Sequence, residues 1–129
     1  MIFLLVEDSR PARNLLKNYI SEIDIGHSRR DYVEAESGES ALIKLRSQSV
    51  DFVILDWNLS TSMTGLDVLK EIRKDSKFKD LPIMMVTSES DKTNVIEALK
   101  NGANDFIVKP IDKKHLAEKI LKIIVGTMA

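Results

Sequence analysis

The chain has 129 residues, 43% hydrophobic and 30% charged, which suits one globular domain with a sizeable core and excludes a disordered one. Its 19 basic and 20 acidic residues leave a formal charge of -1, no basis for a general electrostatic grip on nucleic acid or anionic membranes. With no cysteine, a disulfide framework and a thiolate metal site are both excluded, and no apolar run is long enough to span a bilayer.

Ile2–Val6 is an apolar run without a basic start or a small-residue cleavage site, so it reads as a first strand, not a signal peptide, and the default location is the cytoplasm. Glu7-Asp8 follow it. Ser9 and Pro11 open a helix on which Ala12, Leu15, Leu16, Tyr19 and Ile20 share one face. Tyr32–Glu36 is a more polar strand, Glu34 and Glu36 alternating with Val33 and Ala35, as expected of a sheet edge. Ser37-Gly38 separates it from a short helical stripe of Ala41, Leu42 and Leu45. Val50–Leu55 then runs straight into Asp56, Trp57 (the only Trp) and Asn58. After the loop NLSTSMTG, Asn58–Gly65, helical spacing returns at Leu66, Leu69 and Ile72. Pro82 begins a fourth strand, Ile83–Val86, where a missing N–H costs little, and Thr87-Ser88 follow. Val95, Ile96 and Leu99 mark a fourth helix, stopped by Asn101-Gly102. Phe106–Val108 leads into Lys109-Pro110, and Leu116, Ile120, Ile123 and Ile124 line a last helix.

Five β-α repeats in strict alternation predict an α/β fold: a doubly wound parallel sheet, helices on both faces, as one domain over residues 1–129. The continuously apolar first, third and fourth strands belong at its centre. Ligands of such sheets bind beyond the carboxyl ends of the strands. If the first and third strands are neighbours, Glu7, Asp8 and Asp56 meet there. Three ionised carboxylates at close range must take up protons or recruit a hard cation. An all-oxygen donor set selects Mg²⁺ or Mn²⁺ and disfavours zinc. Lys109 adds a fixed positive charge and Thr87 a hydroxyl. This set suits phosphoryl transfer, because a carboxylate can attack phosphorus while a metal, an ammonium and a hydroxyl hold the three equatorial oxygens. Asp56, alone at its strand end, is the best acceptor; Glu7 and Asp8 read better as metal ligands.

The chain resembles the receiver domain of two-component response regulators, most closely the single-domain, CheY-like chemotaxis type, over essentially its whole length. The resemblance implies a flavodoxin-like (βα)5 fold with strand order 2-1-3-4-5. It implies Mg²⁺ at Asp8 directly, at Glu7 largely through water, at Asp56, and at the backbone carbonyl of Asn58. It makes Asp56 the phosphoacceptor and Thr87 and Lys109 its phosphoryl contacts. Phe106 becomes an aromatic that turns when Thr87 moves, Asn58 and Glu89 residues that tune the rate of phosphoryl loss, and Lys109-Pro110 a cis bond. The partners implied are a sensor histidine kinase and a downstream target protein on the surface of the fourth helix, fifth strand and fifth helix. No direct nucleic-acid contact or membrane insertion is expected, and the chain should be a monomer or a transient dimer. On this reading it is a signalling domain that catalyses its own phosphorylation and dephosphorylation, not an enzyme acting on other substrates.

One feature departs from the family. Ser60 stands where Pro is common, and Gly65 comes nine residues after Asp56 instead of eight, so the Asn58–Gly65 loop is one residue longer. The main rival is a Mg²⁺-dependent phosphohydrolase with an aspartyl-phosphate intermediate. Many such enzymes place a second acid two residues after the nucleophile; here that residue is Asn58, which cannot transfer protons. A receiver-like module that only binds partners is a third reading.

Overall fold

The computed structural model describes residues 1–26, 29–60, 62–88 and 92–128. Five strands, β1 (Ile2–Val6), β2 (Asp31–Ala35), β3 (Phe52–Asp56), β4 (Ile83–Thr87) and β5 (Asp105–Val108), form one sheet in the order β2-β1-β3-β4-β5. Every neighbouring pair is parallel. Helices α1 (Arg10–Ser21), α2 (Gly38–Ser47), α3 (Gly65–Lys74), α4 (Lys92–Lys100) and α5 (Lys113–Met128) alternate with them. A short 3-10 turn at Ser76–Phe78 between α3 and β4 is the one element the sequence pattern did not announce. The architecture is the flavodoxin-like order expected above.

Alternation along the strands splits the core into two layers. Leu4, Val6, Val53, Leu55, Ile83 and Met85 pack with α2, α3 and α4 residues such as Ala41, Leu69 and Ala98. Phe3, Leu5, Phe52, Ile54, Met84 and Val86 pack with α1 and α5 through Leu16, Ile20, Leu116 and Ile120. Both faces of β1, β3 and β4 are thus apolar, as central parallel strands require.

The helix starts follow their capping residues. Ser9 Oγ accepts from the Ala12 N–H, Ser37 Oγ from the Ser40 N–H, and Thr64 and Asp67 form a reciprocal capping box at α3. Gly102, at φ +97°, provides the left-handed stop after α4.

Two helical stripes differ from the expectation. On α4 the buried residue is Ala98, while Ile96 and Leu99 are 55% and 46% exposed. Spacing alone placed these large residues inward, but in the structure α4 presents Ala98 to the core. On α1, Leu15 is exposed and Arg13 is buried in its place.

Candidate functional site

The same alternation that builds the two core layers aims the polar residues at the strand ends. Asp56 continues the Phe52, Ile54 series, Glu7 the Phe3, Leu5 series, and Lys109 the series of Ile107. All three therefore fall on the α1/α5 side of the sheet edge. The β1–β3 register, Val6 beside Leu55, brings Glu7 level with Asp56. Asp8 and Thr87 have the opposite parity and belong to the α2–α4 side.

Asp56 is the last residue of β3 and is 3% exposed. Its Oδ2 accepts from Lys109 Nζ at 2.5 Å and its Oδ1 from the Asn58 N–H at 2.9 Å. Lys109 reaches it from the turn after β5, where the Lys109–Pro110 bond is cis. Burial alone would pull the Lys109 ammonium's pKa down. The hydrogen bond and charge of Asp56, with the charges of Glu7 and Asp8, outweigh burial and hold it above the usual lysine range.

Glu7 is buried and its Oε2 has no hydrogen-bond donor. Burial first, then the adjoining Asp56, raises its pKa from an ordinary 4.5 to about 8. Two carboxylates side by side are both acceptors, so something positive must lie between them. Lys109 answers the charge of Asp56, and burial beside Asp56 favours the protonated form of Glu7. An unpartnered carboxylate oxygen beside a second carboxylate, with only oxygen donors nearby, fits a small hard cation.

The expectation that three acids crowd together needs correction. Asp8 is exposed and is the last of the influences on Glu7, behind Asp56 and Lys109. It lines a separate polar cleft with Arg10, Arg13, Glu34 and Glu36. Among the described residues no three His, Cys, Asp or Glu side chains converge closely enough to cage a metal unaided. Alternation carried just past β1 sends Glu7 and Asp8 to different sides in this conformation.

Thr87, 2% exposed, ends β4, and its hydroxyl lies 3.5 Å from the Ser88 carbonyl. Phe106 is half-buried on the same side of the sheet as Thr87, packed against the α2–α4 layer. Lys119 Nζ of α5 stands 4.8 Å above its ring and 3.0 Å from Asp105 Oδ1. Trp57 packs against the α2–α4 layer, and its N–H donates to the Val86 carbonyl. Glu89, a candidate rate-tuning residue, lies outside the described residues.

A cleft of about 370 Å³ opens onto this site between α1 and the segment after β5. Leu15, Tyr19, Pro110 and Ile111 wall it, and Glu7, Asp56 and Lys109 lie at its polar end. Arg13 went unnoticed in the sequence. An arginine inside an apolar helix face, opposite a strand carrying Glu34 and Glu36, was the available signal.

The raised Glu7 pKa sets a pH dependence. In the unfolded chain Glu7 ionises near 4.5, in the folded one near 8, so the folded state holds an extra proton between them. The stabilisation is fully present below pH 4.5 and is lost as pH rises towards about 8. The thermal midpoint in chelator should therefore fall across this window, and Glu7→Gln should flatten the slope. A parent protein with no such slope would contradict the raised Glu7 pKa.

Comparison with known proteins gives concordant matches. The family described as "Response regulator receiver domain" matches residues 3–121. Chemotaxis protein CheY1 of Helicobacter pylori is 42% identical over 128 residues, 98% of each chain. Chemotaxis protein CheY of Pseudomonas aeruginosa is 38% identical over 123 residues, 95% of each chain. Among solved structures, Vibrio cholerae chemotaxis protein CheY4 superposes with a TM-score of 0.81 at 29% identity, covering 95% of this chain and 97% of its own.

Proposed function

From the premise that the chain belongs to the response regulator receiver family, we propose that Asp56 accepts a phosphoryl group from a histidine kinase and that this event switches a partner-binding surface. The observation that carries the reading is the buried Asp56 carboxylate, held at 2.5 Å by Lys109 beside the unpartnered oxygen of Glu7. Family membership also weighs against a free-standing phosphohydrolase, as does Asn58 in place of a second acid.

Glu7, Asp8, Asp56 and the Asn58 carbonyl are the residues that would hold Mg²⁺ or Mn²⁺. When bound, the divalent ion supplies positive charge for the phosphoryl oxygens and for Asp56. A cation held here would favour the ionised form of Glu7. Asp8, exposed beside the pocket, would add a further carboxylate to this set. A carboxylate oxygen of Asp56 attacks the phosphorus of a phosphohistidine or small acyl phosphate. The new O–P bond forms as the donor's P–N or P–O bond breaks, and the electron pair leaves with the donor. Lys109 neutralises the charge on the transferred group, and the Thr87 hydroxyl donates to it. Hydrolysis in the same pocket returns Asp56 to a carboxylate, with Asn58 and Glu89 setting the rate.

Movement of Thr87 toward the phosphoryl group vacates space on the α2–α4 side of the sheet, where Phe106 also lies. Phe106 turning into that space would change the face formed by α4, β5 and α5. Exposed Ile96 and Leu99 offer that face an apolar contact for a target. The cleft walled by Leu15, Tyr19, Pro110 and Ile111 is the open route for the donor. Chemotaxis is the output that the relatives' names suggest. No helix is long and apolar enough to cross a membrane among the described residues.

The test is a titration followed by Trp57 emission: Mg²⁺ first, then beryllofluoride. Both additions should give saturable changes; no response to either would refute the reading. Lys109→Ala separates binding from switching. Removing a cation 2.5 Å from Asp56 should leave Mg²⁺ affinity equal or higher, while target binding after phosphorylation is lost. Markedly weaker Mg²⁺ binding in that variant would show that the lysine orders the site instead of guarding it.

A further inference from the structure

Glu7 and Asp8 lie beyond the last residue of β1, where the ladder no longer fixes the chain. The Glu7 N–H still donates to Ala35 O at 3.0 Å. The Glu7 carbonyl, which belongs to the peptide leading into Asp8, accepts from Arg13 Nη1 at 2.7 Å. Arg13 is 5% exposed and reaches this carbonyl from the first turn of α1. Its Nε donates to Glu34 Oε1 at 2.9 Å, and its Nη2 stands 3.6 Å from Glu36 Oε1. Glu34 is in turn held by Lys17 at 2.8 Å, which keeps its carboxyl below the usual range. One planar guanidinium therefore spans α1, the β2 edge and the peptide between the two acids.

We propose that Arg13 is a positioning residue of the divalent-cation site: by gripping the Glu7 carbonyl it sets the orientation of the Glu7–Asp8 peptide, and so where both carboxylates point. The inference rests on the phosphoacceptor reading above. Arg13 touches neither cation nor phosphoryl group. A helix-to-strand ion pair alone would need only Glu34. The additional carbonyl contact at 2.7 Å is what a forked side chain supplies and a point charge does not.

The two possible roles predict opposite signs. Arg13 carries a positive charge close to a site for a cation. If it mattered only through charge or packing, replacing it with an apolar side chain of similar length should leave Mg²⁺ binding unchanged or tighter. If it positions the acids, the same change should weaken binding, since groups that orient metal ligands typically contribute about tenfold or more in affinity.

The experiment measures Mg²⁺ affinity by Trp57 emission, and thermal stability in chelator, for the parent, Arg13→Met, Arg13→Lys, Lys17→Met and Ile20→Val. Arg13→Met should bind Mg²⁺ about tenfold more weakly. Arg13→Lys, which keeps the charge but loses the fork, should also be weaker. Lys17→Met removes a nearby positive charge without touching Glu7 and should bind equally well or better. Ile20→Val destabilises the same helix and should leave the affinity unchanged, which separates positioning from general loss of stability. If Arg13→Met fails to fold, Arg13→Lys decides. Parental or tighter Mg²⁺ binding in the foldable Arg13 variants would overturn the inference while leaving the phosphoacceptor reading intact. A parent with no saturable Mg²⁺ binding would overturn both.

Discussion

Asp56→Asn should abolish phosphoryl uptake from acetyl phosphate in the presence of Mg²⁺, as read by intact-protein mass. The amide nitrogen and oxygen are poor nucleophiles toward phosphorus, and Asn cannot form an acyl phosphate. The substitution is nearly isosteric, so the fold should survive. Asp56 is the last residue of β3, and its main-chain place in the sheet, Asp56 beside Val86, does not depend on the side chain. Lys109 loses its ion-pair partner in this variant, and its pKa should fall because burial then acts with less opposition. Two outcomes would count against the assignment: undiminished phosphoryl incorporation, or a protein too unstable to assay. The second would show that the Lys109–Asp56 pair is a structural element first.

Gly65→Ala should be among the most damaging single changes in the chain. A Cβ at this position would lie 2.3 Å from the Asp56 carbonyl oxygen, 2.7 Å from Trp57 Cα and 2.9 Å from the Asp56 carbonyl carbon. All three neighbours are backbone, so no side-chain rotation can relieve the overlap. The Gly65 N–H also donates to Trp57 O at 2.8 Å, which ties the start of α3 to the residue after the phosphoacceptor. Either α3 lifts away or the end of β3 moves. We expect a cost of about 3 kcal/mol, at the upper end of overpacking effects, and a fall in thermal midpoint of about 10 °C. The Trp57 response to Mg²⁺ and beryllofluoride should be lost even where the protein remains folded. Gly26→Ala is the control: its φ is +78° but nothing lies within 4 Å, so only the left-handed backbone is strained, at about 1 kcal/mol. Equal effects of the two substitutions would mean that Gly65 is required for conformation and not for space.

The lengthened loop takes on a definite meaning beside that glycine. One extra residue between Asn58 and Gly65 should loosen the approach to α3 if the loop were held by its own geometry. Instead its exit is pinned: Gly65 packs on the Asp56 carbonyl and the Thr64–Asp67 capping box fixes the first turn of α3.

The central strands and the edge position of β2 were readable because apolar runs of differing continuity report burial on one or both faces, whereas the full strand order came from the family resemblance. The helix caps were readable for the same local reason: Ser9, Ser37 and Gly102 each satisfy a backbone requirement. What linear reading missed involves more than one element. The inward place of Ala98 over Ile96 and Leu99 is set by how α4 docks on the sheet, which its own spacing does not report. The burial of Arg13 depends on β2 offering Glu34 and Glu36 opposite α1, a signal that needs the helix face and the strand to be read together. The separation of Glu7 from Asp8 follows from alternation and was available in principle. Adjacency in sequence obscured it, since two neighbouring acids look like one cluster until the strand's period is applied to them.

The central claim is that a carboxylate at the end of β3, made competent by a divalent ion and Lys109, carries the phosphoryl group. The most direct measurement is to phosphorylate the protein with acetyl phosphate and Mg²⁺, trap the acyl phosphate by borohydride reduction, and sequence the modified peptide. The account predicts reduction to homoserine at position 56 alone, and none when Mg²⁺ is chelated. Reduction at another carboxylate, or an equal yield without a divalent ion, would contradict it.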